Sequence, residues 1–151
     1  MDATTILIMN TAATLALTGL IWMVQVVHYP LFANVGHAGF ADYHRLHTRQ
    51  ITWVVGPLML CEAFTAWWLL RQPIDVVPDW VFEWAFSLVV FIWGSTALFQ
   101  IPMHRILSVE FHQRSYERLV LTNWLRTAAW TGRACLVLLA LWFVINPSVG
   151  S

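Results

Sequence analysis

The chain has 151 residues, 59% of them hydrophobic and 11% charged, where an ordinary soluble domain is about 25% charged. That balance excludes an ordinary water-soluble domain. It also disfavours nucleic acid as a partner, since the formal net charge is zero and the grip on phosphates needs a basic patch. Four bilayer-spanning helices of about 20 residues would use ~80 positions, and 59% of 151 supplies about 89. The expected fold is an all-α, antiparallel, integral membrane four-helix bundle with short loops, formed by residues 1–151 as a single transmembrane domain.

The first apolar run covers residues 6–27. The preceding Met-Asp-Ala-Thr-Thr lacks the basic start of a cleaved signal, and the run is too long for a signal core, so it reads as a retained span. Pro30 marks its end. The second run covers 51–70, followed by Pro73 and Pro78, and the third covers 81–101, where Pro102 predicts a kink or a stop. The fourth, 124–145, carries Arg126 and Arg133 and is closed by Pro147. Cys61 and Cys135 fall inside apolar runs and read as small buried hydrophobes rather than a disulfide.

An even number of spans puts both termini on one side, side A, with the 71–79 loop. Side B receives residues 28–50 and 102–118, which carry Arg45, Arg49, Arg105, Arg114 and Arg118, whereas the loop arginine of side A is Arg71. The positive-inside rule makes side B cytoplasmic and both termini external. Trp53, Trp80, Trp124 and Trp142 lie near the expected interfaces, while Trp67, Trp68, Trp84 and Trp93 suit either an interface or packing between helices.

The halves echo each other. Gln25, His28 and Pro30 close the first span as Gln100, Pro102 and His104 close the third, and Tyr43, Arg45 and Leu46 recur as Tyr116, Arg118 and Leu119. Two copies of one helical hairpin, related by an axis along the membrane normal, give this pattern. So does chance matching in a biased composition.

All six histidines, His28, His37, His44, His47, His104 and His112, fall on side B or within a turn of it. His44 and His47 are three apart and share a face if the helix begins before Arg49. That stripe continues through Ile51, Val55 and Leu58 to Glu62. Three helix ends thus offer imidazoles at one depth, and His28, His44, His47 and His104 form a candidate metal or haem site. Imidazole is a common ligand for zinc, copper and iron and can hold a haem, and such sites in bundles are built from facing helices. Gln25 and Gln100, one turn inward, and Arg126 are expected to orient the ring nitrogens from behind. A wet interface would equally concentrate histidines, and His37 and His112 are expected to be solvated. Glu62 lies about 16 Å into its span and Arg133 about 13 Å, counted along α-helices. Charge at that depth needs a partner, so the two are expected to pair, as a packing device, a proton path or a clamp for an anionic group. Gly-rich phosphate loops, a Gly-x-Ser-x-Gly elbow and a His-Glu-x-x-His motif are absent from the sequence, which removes hydrolase and nucleotide-binding readings.

The run Val27-His28-Tyr29-Pro30-Leu31-Phe32, then His44-x-x-His47-x-Arg49-x-Ile51, Val55-Gly56-Pro57-Leu58-Met59, and Asn123-Trp124-Leu125-Arg126-Thr127 with Trp130 and Arg133, resembles small bacterial four-span membrane proteins of unknown function. More distantly, the layout is similar to anthrone-oxygenase-like membrane proteins and to the haem-binding membrane protoporphyrinogen oxidases. The resemblance implies a bacterial inner-membrane location and a redox activity, and transfers no catalytic residue. The leading expectation is a membrane oxidoreductase or oxygenase holding a transition metal (iron or copper) or a haem, and acting on a lipophilic small molecule. Its rival is a non-catalytic subunit packed against partner membrane subunits or further copies of the chain.

Overall fold

A computed structural model describes residues 2–147, without the side chains of His37 and Ala38. Among the described residues all regular structure is helical, in four rods that we label α1 (Ala3–Phe32), α2 (His37–Arg71), α3 (Asp79–Leu107) and α4 (Gln113–Ile145). Each is long and apolar enough to cross a membrane. The Asp2 side chain caps α1, accepting from the Thr5 amide at 2.7 Å and the Thr5 hydroxyl at 2.9 Å. Those bonds hold its carboxyl below the usual carboxylate range. The helices pack in a ring, with α1 against α2 and α4, and α3 against α2 and α4. Short connections between ring neighbours make the bundle antiparallel.

Three apolar layers fill the axis. Leu7, Leu69, Val81 and Ala140 pack near side A, Leu17, Met59, Ile92 and Trp130 in the middle, and Tyr29, Phe32, Phe40, Leu107 and Leu119 near side B. The outer surface is apolar as well, with Trp53, Leu98, Leu121 and Ile145 all more than 70% exposed. Such a surface is stable in lipid and not in water. Cys135 belongs to this outer face and Cys61 is half-buried, and both are free thiols, so Cys135 departs from the expected burial.

Between the first two layers lies the deep ion pair. Arg133 Nε donates to Glu62 Oε1 at 2.8 Å, with both side chains fully buried. The same carboxylate accepts from Thr14 Oγ1 at 2.8 Å and Trp130 Nε1 at 3.2 Å. Arg133 also donates to Asn10 Oδ1 at 2.9 Å and to the Ala85 carbonyl. The guanidinium thus bonds to all the other helices, and both charges are compensated where uncompensated charge is most costly.

The helices exceed the apolar runs. α2 begins at His37 rather than at residue 51, and α4 at Gln113 rather than at 124. Residues 37–50 and 113–123 are too polar for a hydropathy scan. They are helical because Phe40 and Leu119 complete the side B core layer. Pro30 and Pro102 do not stop their helices. Each is preceded by a π turn, Val24–His28 in α1 and Thr96–Gln100 in α3, and each helix then continues. Proline lacks an N–H and clashes with the carbonyl four residues back. Widening the preceding turn by one residue relieves that clash without ending the rod. The two π turns occupy corresponding places 72 residues apart (24 and 96), as do the prolines (30 and 102). In α2 the helix passes through Gly56 and Pro57. Gly56 has no Cβ to strike the proline ring, which would disfavour helical geometry for any other residue there.

Candidate functional site

The early start of α2 gives it an inward stripe of Phe40, His44, His47 and Ile51 at helical spacing. His44 is fully buried, and His47 is half-buried. His28 from α1 and His104 from α3 meet this stripe. His28 Nε2 lies 2.9 Å from His47 Nδ1, and His104 Nδ1 lies 3.0 Å from His44 Nε2. Ring centroids are 4.3 Å apart in the first pair and 5.1 Å in the second, with His44 and His47 6.5 Å apart. The four predicted imidazoles are therefore brought together, as two bonded pairs. His112 lies outside the cluster, exposed, and its Nδ1 accepts from the Ser115 amide at the start of α4. The His37 side chain falls outside the described residues.

Gln25 and Gln100 do not bond to the imidazoles, contrary to expectation. Gln25 Oε1 accepts from Asn123 Nδ2 at 2.7 Å and Gln25 Nε2 donates to the Val120 carbonyl, while Gln100 Nε2 donates to Thr122 Oγ1 at 3.0 Å. Both glutamines are committed to α4. The cause is the π turn. In the first half Gln25 and His28 both lie within the wide turn, which no longer stacks side chains three apart; in the second the turn ends at Gln100 and shifts the phase of the α-helical segment that carries His104 relative to the helix before it. Arg126 is likewise displaced from direct contact. Its Nη1 donates to Asn123 Oδ1 at 3.1 Å, and its guanidinium is an electrostatic neighbour of the Tyr29 phenol.

Three groups that the sequence did not single out complete the cluster. Tyr29 Oη lies 3.2 Å from His104 Nε2, Ser108 Oγ lies 3.0 Å from His44 Nδ1, and Phe32 sets its ring edge-on to His28, His44 and His47 at 5.0–5.5 Å. The spacing of Ser108 four residues after His104 was a readable signal. Tyr29 carried none, because the π turn decides where it points. The hydroxyl of Ser108 donates to the His104 carbonyl at 2.8 Å, and this fixes the neutral network. His44 Nδ1–H donates to Ser108, His104 Nδ1–H donates to His44 Nε2, and the Tyr29 hydroxyl donates to His104 Nε2. A directed chain of hydrogen bonds runs from Tyr29 to Ser108.

The donor set is all imidazole, which suits iron or copper. Two nitrogens at about 2.1 Å from one ion and at right angles to each other lie ~3.0 Å apart, close to the spacing within each pair. Across a haem iron the two would lie about 4 Å apart, so neither pair straddles a haem iron as positioned. Among the described residues no three of His, Cys, Asp or Glu converge on a single point suited to an ion. The cluster thus offers two bidentate imidazole pairs rather than one closed cage.

Beside the cluster opens a cavity of about 840 Å³, lined by His47, His104, Tyr29, Gln100, Arg126 and the exposed Arg105 at its polar end and by residues such as Ile21, Val55, Met59 and Trp93 elsewhere. Leu60, Trp93 and Ile101 belong to both this lining and the outer apolar surface, so the cavity opens toward lipid. Comparison with family models, with curated proteins and with solved structures gives no match, and the chemistry of the site rests on its own geometry.

Proposed function

We propose that this protein is a membrane-embedded oxidoreductase or oxygenase of the bacterial inner membrane, in which the pairs His28–His47 and His44–His104 supply the ligands for a transition metal, iron or copper in preference to haem, beside a lipid-facing substrate cavity. The observation that carries the reading is the meeting of four imidazoles from three helices at the polar end of that cavity. When bound, such an ion supplies one-electron chemistry. Phe32 and Phe40 wall the imidazoles on the side away from the cavity: Phe32 is edge-on to three of them, and Phe40 stacks on His44 at 5.5 Å. With Nδ1 of His104 and Nε2 of His44 given to a metal, the outer ring nitrogens would keep their protons, His104 Nε2 facing Tyr29 Oη and His44 Nδ1 facing Ser108 Oγ, and these two hydroxyls would hold the rings in place. His47 and His104 are the imidazoles that line the cavity itself. In this reading side B is cytoplasmic.

The second reading is a non-catalytic membrane subunit, favoured by one observation: the imidazoles satisfy one another without an ion. Metal analysis and absorption spectra of protein purified without added metal separate the two. Near-stoichiometric iron or copper that falls at least tenfold in His47→Ala and His104→Ala, and holds in His112→Ala, supports the redox reading. Metal-free, colourless protein whose properties ignore those changes supports the subunit.

A further inference from the structure

The two cations inside this bundle are treated very differently. Arg133 is neutralised by Glu62, whereas Arg126, 7% exposed, has no carboxylate within ion-pair distance among the described residues. Its Nη1 bonds to Asn123, its guanidinium lies beside the neutral Tyr29 phenol and 5.0 Å over the Trp130 ring, and its Nε has no hydrogen-bond partner. Across the same cavity end, Gln100 is 2% exposed and its Oε1 also lacks a partner. The amide orientation is fixed by Thr122, whose hydroxyl already donates to the Arg118 carbonyl and so accepts from Gln100 Nε2. One buried donor carrying a full positive charge and one buried acceptor therefore flank the polar end of a space whose remaining walls are mainly apolar.

We infer that this cavity binds a lipophilic weak acid, a molecule with an acidic oxygen on an apolar body, its oxygen accepting from Arg126. The inference rests on the cavity assigned above as the substrate site and names what enters it, without requiring a bound metal. An unpaired cation away from water is costly, and an anionic oxygen is the group that offsets it. A neutral lipid or hydrocarbon would fill the volume and leave Arg126 stranded. An ammonium head would add repulsion. The unpartnered Gln100 Oε1 would accept from a separate, un-ionised O–H on the same head, since the ionised oxygen itself has no proton to donate. Entry is lateral from the bilayer, where Leu60, Trp93 and Ile101 rim the opening.

The test compares probes of matched length on the full chain in an uncharged detergent: tetradecanoic acid, tetradecanol, tetradecyltrimethylammonium and 4-nonylphenol. Binding is measured by calorimetry with and without prior chelator washing. A charge-assisted hydrogen bond predicts the acid binding about ten- to a hundredfold tighter than the alcohol, with the ammonium weakest. In Arg126→Gln the acid and alcohol should bind equally, and Arg126→Lys should restore much of the difference. Ala97→Trp, on the α3 wall of the cavity, should weaken all the probes by filling the space. If Arg126→Gln does not fold, the acid-to-alcohol ratio of the wild type and the Ala97→Trp variant still decide. Equal binding of acid and alcohol by the wild type, or an acid preference that survives Arg126→Gln, overturns the inference. The relative affinities of nonylphenol and tetradecanoic acid say whether the acidic oxygen comes from a ring or from an acyl chain. An acid preference in protein that carries no metal as purified, before any chelator wash, sinks the redox proposal alone, and bound metal without that preference sinks this one alone.

Discussion

The Tyr29 hydroxyl and the Glu62 carboxylate show how much a single polar group decides in this bundle. Tyr29→Phe removes the donor to His104 Nε2, leaving a half-buried acceptor without its partner at a cost of about 1 kcal/mol. The expected result is a lower unfolding temperature in detergent, and no change would show that His104 is satisfied elsewhere. Glu62→Gln strands Arg133, and Arg133→Gln strands Glu62. Each is expected to cost about 3–5 kcal/mol, because a lone buried charge remains. The double replacement should cost clearly less than the sum, since the partners share one network. Strictly additive losses in a double-mutant cycle would contradict the pairing. The pair itself was readable from the sequence, because two charges at matching depth leave few alternatives. The hydroxyls, amide and indole around it were not, since Asn10, Thr14 and Trp130 are ordinary residues for such helices until a charge faces them.

At the scale of an element, the π turns before Pro30 and Pro102 control which helix each side chain meets. In an α-helix one extra residue amounts to a rotation of about 100°. Removing a proline from a helix interior ordinarily stabilises it, by up to ~3 kcal/mol. Here Pro102→Ala should instead lower the unfolding temperature. The variant is free to wind as a regular α-helix, and that rotation separates His104 from His44 or Gln100 from Thr122. A higher unfolding temperature with bound metal retained would show that packing, not proline, holds the π turn. The sequence marked both prolines but placed a stop or kink there, because hydropathy and proline position do not distinguish a chain that ends from one that widens and goes on. The early start of α2 was hidden for a related reason. Its first turns are polar by composition, and only the packing of Phe40 against Phe32, at 6.0 Å between ring centroids, shows why they are ordered.

For the molecule as a whole, the arginine imbalance predicts that reporters fused to either terminus report the external side, and that cysteines introduced at the 33–36 and 108–112 turns are labelled from the cytoplasm. A cytoplasmic N-terminus would reverse the orientation and place the open end of the histidine chain outside. The helices are 29–35 residues long, which at 1.5 Å per residue is roughly 44–52 Å against a hydrocarbon core of about 30 Å. The bundle therefore reaches beyond the hydrocarbon layer. The histidine cluster belongs to the side B core layer, not to a fringe of solvated helix ends.

Composition alone determined that the chain is a helical membrane bundle of four rods, because apolar run length and the need to satisfy every backbone group in lipid leave little else. Residue position along those rods also determined that the imidazoles share a depth and that Glu62 and Arg133 share another. Rotation about each rod was not determined, since it depends on the two π turns and on contacts between helices that no local pattern specifies. That rotation turned Gln25 and Gln100 toward α4, brought Tyr29 and Ser108 into the histidine chain, and left Arg126 without a counter-charge at the edge of a cavity. The tertiary structure alone decided these, because in a bundle whose outside is as apolar as its inside the sequence does not say which face of a helix looks inward.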